Sequence, residues 1–186
     1  MERMLQRYAI ALALSIGWML PFVHKAATLH VKPVVKDERA RWGILLERIA
    51  LGIMLGIPVA YVPNWRIALA LVLGMIGIVT SWFAIRHLDK QWRLDAALNA
   101  DHKLIQTGPY SFVRHPIYSA MFAMLLSVGL LLTHWWILFA GVLMFMAGTE
   151  IRVRAEERLL RSRFGEEFDA YTRRVPAYVP FVRAIT

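Results

Sequence analysis

Residues 65–85, WRIALALVLGMIGIVTSWFAI, constrain the fold more than any other stretch. They form 21 consecutive residues in which Arg66, at the start, is the only charge. At 1.5 Å per residue such a helix reaches about 30 Å, the thickness of a bilayer's hydrocarbon core. A transmembrane helix follows. Four further apolar runs, at about 8–23, 42–62, 117–132 and 135–149, extend the pattern over the chain of 186 residues. Apolar residues make up 58% of it and charged ones only 19%, more apolar and less charged than soluble domains. The expectation is one all-α integral membrane domain with about five transmembrane helices. Residues 1–90 carry the first three, and 91–186 hold a cofactor-binding and catalytic part.

The first run has a basic start but no small-residue cleavage site after its core, so it reads as a retained helix. Gly52 and Gly56 form a small-xxx-small pair and predict close packing there. Glu47 and Arg48, near the start of the same run, read as interfacial. Trp42, Trp65, Trp92, Trp135 and Trp136 lie near run ends, where an aromatic belt belongs.

The last two runs are joined by Thr133-His134 and predict an antiparallel hairpin. Fifteen or so residues reach only about 22 Å, short of a full crossing. Polar residues on either side must complete its ends: Arg114-His115 before it, Glu150, Arg152 and Arg154 after it. Ionisable groups drawn toward lipid depth mark a functional site.

The net charge of +9 would suggest nucleic acid in a soluble chain. Here the basic residues flank apolar runs, so anionic lipid headgroups are the expected partners and nucleic acid is not. Segments 24–41, 86–116 and 150–186 are rich in Lys and Arg, whereas 63–64 and 133–134 have none. These three face the cytoplasm by the loop-charge rule, with the N-terminus outside. The absence of cysteine excludes disulfides, thiolate metal sites and a cysteine nucleophile. No metal-binding set is evident, and no strand-GxGxxG-helix fingerprint occurs.

Residues 150–168, EIRVRAEERLLRSRFGEEF, predict a helical extension of the fifth run that stops at Gly165. Arg152 and Glu156 are four apart and share one face; Glu150, Arg154 and Glu157 project from another. Pro116 fits the first turn of a helix, where no N–H is needed. The Arg114-His115-Pro116 sequence therefore marks a helix start that can take an anion.

GPYSFVRHPIY, then R-x-x-x-E-E-x-x-L beyond the hairpin, then FGEEFDAYTRRVP, together resemble the isoprenylcysteine carboxyl methyltransferase family over residues 100–182. The resemblance implies a short, prokaryotic-type member that uses S-adenosyl-L-methionine. It implies that His102, Lys103, Leu104 and Ile105 line the adenine side and that Tyr110 closes over the cofactor. His115, Pro116, Ile117 and Tyr118 would hold its amino-acid end. Glu156 would contact the cofactor, and Arg152 would face the methyl acceptor and be kept oriented by Glu156. Arg114 and Glu157 are further candidates. Ser119-Ala120 and Arg154-Ala155 depart from the family pattern. The tail residues Tyr171, Pro176, Tyr178, Pro180 and Phe181 would form a lid or a surface anchor.

The implied reaction is methyl transfer at the membrane surface to a lipophilic carboxylate, such as that of a prenylated cysteine. A carboxylate needs no general base, only a cation to place it, and a guanidinium suits that. Phospholipid N- or thiol S-methylation is the alternative, with His87 and His102 as the evident bases for an amine. An NADPH-dependent reductase of the sterol type is a second.

Overall fold

The computed structural model describes residues 1–28, 34–56, 58–93, 96–98 and 101–179. The five apolar runs become five long helices: α1 (Glu2–Thr28), α2 (Ala40–Gly56), α3 (Asn64–Leu88), α4 (Pro116–Leu132) and α5 (Trp135–Phe164). A short α6 (Glu166–Arg174) follows the stop at Gly165, whose φ of +50° is a backbone conformation that favours glycine. Three segments, Glu2–Thr28, Asn64–Gln91 and Trp135–Phe164, are long and apolar enough to cross a membrane, and α4 is a shorter apolar helix.

Packing follows the apolar faces. The helix α3 lies along α4, and α2 along α5, with α1 against α3 and α4. Leu125, Leu131, Met54 and Phe145 are fully buried at the centre. On the outside, α3 displays Val72, Met75, Ile76, Val79 and Phe83 to the surroundings. An outward apolar band with a packed interior suits lipid on one side and protein on the other.

The end formed by the hairpin tip is held by two buried arginines. Arg7 donates to the Val59 and Ala60 carbonyls at 2.8 and 3.2 Å, and Arg66 donates to Thr133 O at 2.8 Å. Arg66 also stacks on Trp135, 4.5 Å from the ring centroid. These guanidiniums satisfy carbonyls that α4 and the 58–60 segment leave open. The N-terminal turns of α1 thus sit beside the Thr133-His134 connection, at the opposite end from the Arg114-His115-Pro116 turn.

Three expectations need correction. An added Cβ at Gly52 or Gly56 would meet nothing within 4 Å, so that pair is not the packing device. The close approach is instead between α2 and α5 at Gly43 and Gly148: a Cβ on Gly148 would lie 2.7 Å from Gly43 O, and one on Gly43 would run into Gly148 O. Glu47 is buried, only 3% exposed, because it lies one turn beyond that crossing. Trp92 is buried rather than interfacial.

The helical architecture also includes one short antiparallel pairing, β1 (Val35–Lys36) with β2 (Ala97–Leu98). Asp37 beside it pairs with Arg158 of α5 at 2.8 Å. The two irregular segments at this end are thereby tied to each other and to α5. Pro180 and Phe181 lie outside the described residues.

Candidate functional site

The site begins with the turn before α4. Arg114 N donates to Pro176 O at 2.8 Å and His115 N to Ala177 O at 3.0 Å, so the tail runs alongside the turn. Pro116 then opens α4. The first turn of such a helix leaves backbone N–H groups without intrahelical partners, and the dipole there favours an anion.

The acidic pair on α5 meets this turn from across the hairpin. Glu157 Oε1 accepts from Arg114 Nε and Nη2 at 3.0 and 2.8 Å and lies 3.0 Å from His115 Nε2. Arg114 also donates to Val175 O at 2.6 Å, clamping the tail. Glu156 accepts from the Tyr118 hydroxyl and lies 3.7 Å from His115 Nδ1. His115 is buried between the two carboxylates. Burial alone would discharge its ring, but Glu156 and Glu157 outweigh that and raise its pKa above the ordinary imidazole value.

Behind these groups lies a cavity of about 460 Å³, within the range of small-ligand sites. His102, Lys103, Leu104, Ile105, Tyr110, Arg114, His115, Pro116, Ile117, Tyr118, Arg152 and Glu156 all line it. Chain segments far apart in sequence thus converge as the motif pattern required. Glu157 does not line the cavity; it buttresses the turn from outside. Of the two histidines weighed as bases, only His102 reaches the cavity. His87 instead turns its Nδ1 toward Phe83 O at 2.8 Å and packs against Gly108.

The Tyr171 hydroxyl donates to Tyr110 O at 2.6 Å, and Tyr171 itself lines the cavity. Tyr178 donates to Glu150 at 3.0 Å, and Ser119 donates to Tyr178 O at 2.7 Å. The described part of the tail therefore closes over the turn rather than reaching away from it. Ser119, a departure from the family pattern, is one of its anchors.

Arg152 is held differently from the expectation. Its Nη1 donates to Glu47 Oε2 at 2.6 Å, and its guanidinium lies 4.9 Å from the centre of the Tyr118 ring. Glu47 also accepts from Thr149 Oγ1 at 3.0 Å. An orienting carboxylate thus comes from α2, while Glu156, engaged by Tyr118 and His115, acts on Arg152 through its charge. Sequence reasoning missed Glu47 because its partner is 105 residues away. Its position in a strongly apolar run was the available signal.

Among the described residues, His102 Nδ1, Gln91 Oε1 and Trp18 Nε1 are buried polar atoms of the cavity wall without a hydrogen-bond partner. Burying such groups unpaired is costly, and a bound ligand offering both donors and acceptors removes the cost. Burial, with Arg93 and Arg163 nearby, pushes the His102 pKa down to about 4, so its ring is neutral at physiological pH. A neutral imidazole edge, an amide oxygen and an indole N–H suit a heteroaromatic, hydroxyl-bearing ligand. The helix start and Glu156 suit its charged end. S-adenosyl-L-methionine carries all of these groups, and the residues present fit it.

Fold and site together define a membrane-helix bundle with a deep, charged ligand cavity at one end. Residues 68–162, just over half of the chain, match the model of the isoprenylcysteine carboxyl methyltransferase family, and the chain belongs to that family. It is an integral membrane protein by its apolar helices and this membership. It is similar to the protein-S-isoprenylcysteine O-methyltransferase of Schizosaccharomyces pombe, 32% identical over 45% of this chain and 36% of that one. The Arabidopsis thaliana protein-S-isoprenylcysteine O-methyltransferase B is 30% identical over 62% of this chain and 56% of its own. A nickel-cobalt-cadmium resistance protein of Alcaligenes xylosoxydans xylosoxydans is 27% identical over 75% of this chain and 62% of its own. The chain thus spans between about a third and three fifths of the length of these relatives. Glu47 lies outside the matched stretch.

Proposed function

We propose that the chain is an S-adenosyl-L-methionine-dependent methyltransferase that methylates a lipophilic carboxylate at the cytoplasmic face of a membrane. The observation that carries this reading is the convergence of Arg152 and Glu156 with the start of α4 in one cavity. The names of the two methyltransferase relatives support it. All five apolar helices would span or enter the bilayer, with the 89–115 segment and the end of α5 on the cytoplasmic side.

His102 and Gln91 would hold the nucleoside end of the cofactor, and the α4 start its carboxylate. Glu156 would hold a positive or hydroxyl-bearing part. When bound, the cofactor supplies an electrophilic methyl group on a sulfonium centre. An acceptor carboxylate is already ionised, so its oxygen supplies the electron pair of the new C–O bond while the C–S pair departs onto sulfur. No proton moves. Arg152 would place the acceptor in line. The membrane-facing wall, with Met19, Phe22 and Val23 of α1, would take the apolar part of the acceptor.

Purified protein in detergent is expected to gain thermal stability from S-adenosylhomocysteine, with affinity measurable by calorimetry, and to ignore NADPH. Stabilisation by NADPH alone would refute the cofactor assignment in favour of a reductase.

Sidedness has its own measurement. The chain contains no cysteine, so single cysteines report without background. In intact cells, Asp101→Cys should resist an impermeant maleimide and His134→Cys should react or stay buried near the outer leaflet. Labelling of Asp101→Cys from outside alone would invert the topology.

A further inference from the structure

We propose that Glu47 is a positioning residue that keeps Arg152 from overbinding the acceptor: a counter-charge from α2 holding the guanidinium in place. This rests on the carboxylate-acceptor reading above.

Three observations lead to it. First, Glu47 is only 3% exposed and Arg152 8%, and their 2.6 Å ion pair sits in the cavity wall, where both residues line the space. Second, the pair is built rather than incidental. The Gly43–Gly148 contact brings α2 and α5 backbone to backbone, one turn before Glu47 and one turn before Arg152. Thr149, next to Gly148, gives Glu47 a second donor at 3.0 Å. Third, Glu47 comes from outside the stretch that matches the family model, residues 68–162.

A buried ion pair is weak evidence for stability, since well-packed apolar residues serve as well or better. The chemistry supplies a reason to keep this one. When a carboxylate attacks a sulfonium methyl, its negative charge is spent as the C–O bond forms. Without Glu47, the Arg152 guanidinium in its desolvated wall would therefore stabilise the starting carboxylate more than the transition state. Only interactions that strengthen toward the transition state accelerate the step. With Glu47 on one edge, Arg152 keeps its planar hydrogen-bonding geometry and its direction but loses most of its net pull. The acceptor is aligned without being quenched.

The test is a split between acceptor KM and kcat. The probe is N-acetyl-S-farnesylcysteine, with S-adenosylhomocysteine affinity as the control. Glu47→Gln keeps the shape and removes the charge. It should lower acceptor KM about tenfold and kcat about tenfold together, leaving cofactor affinity unchanged. Glu47→Asp keeps the charge but withdraws it by one methylene. Its KM should stay near wild type while kcat falls several-fold.

A merely structural role moves neither pattern. Unchanged KM and kcat in Glu47→Gln, or a raised KM, overturn the proposal. If Glu47→Gln is not recovered in detergent, wild-type kcat in Glu47→Asp overturns it equally. Wild-type protein that binds S-adenosylhomocysteine but methylates no prenylated carboxylate overturns the acceptor reading and this role with it. Wild-type turnover with an indifferent Glu47→Gln overturns this role alone.

Discussion

Arg152→Lys should lose turnover on the order of a hundredfold while binding S-adenosylhomocysteine with wild-type affinity. The substitution keeps the charge and enough length to reach Glu47. It removes the planar fork and the stack on Tyr118, whose ring centre lies 4.9 Å from the guanidinium. An ammonium has no preferred plane, so the acceptor is no longer aimed along the line from sulfur through methyl. Alignment dominates a displacement that needs no proton transfer, and small misplacements are expensive. The proposed cofactor contacts, at Gln91, His102, the α4 start and Glu156, do not include Arg152 and should be spared. Calorimetry and a methylation assay on one preparation decide it. Parallel losses in both would mean that Arg152 touches the cofactor instead.

What was legible in the sequence follows from the range of each signal. The helices were legible because lipid demands long, nearly uncharged segments, and residues 65–85 could be little else. The α4 start was legible because proline at a first turn is a local rule, as was the stop at Gly165. The convergence of His115 with the acidic pair was legible only through the paired motif, since 42 residues separate it from Glu157. The Glu47–Arg152 pair was not, because it depends on where two helices cross. Glycine spacing pointed to Gly52 and Gly56, whereas the crossing lies at Gly43, a lone glycine in sequence that only its partner Gly148 explains. The β1–β2 pairing escaped for a similar reason. Two residues give no alternation to read, and their register is set by the loops that bring them together.

The acidic pair itself should divide into two different jobs. Glu156 reaches the cavity, with its carboxylate between Tyr118 and His115. Glu157 faces away and gathers Arg114 and His115 on a single oxygen. Replacing Glu156 by Gln removes a charged acceptor from the ligand. That costs about 1.5–3 kcal/mol, so S-adenosylhomocysteine should bind at least about tenfold more weakly, with apo-protein stability little changed. Replacing Glu157 by Gln instead strands the Arg114 guanidinium and leaves His115 with Glu156 alone as a counter-charge, both in residues that are mostly buried. Breaking such a pair costs about 3 kcal/mol, which should lower the thermal midpoint in detergent by roughly 5–10 °C. The tail loosens with it, because Arg114 also holds Val175 O and Pro176 O through its side chain and its amide. The two variants are isosteric neighbours on one helix, so a general effect of losing an acid there would move both measurements alike. Weakened binding in Glu157→Gln without lost stability, alongside a destabilised Glu156→Gln that still binds normally, would show the two roles to be exchanged.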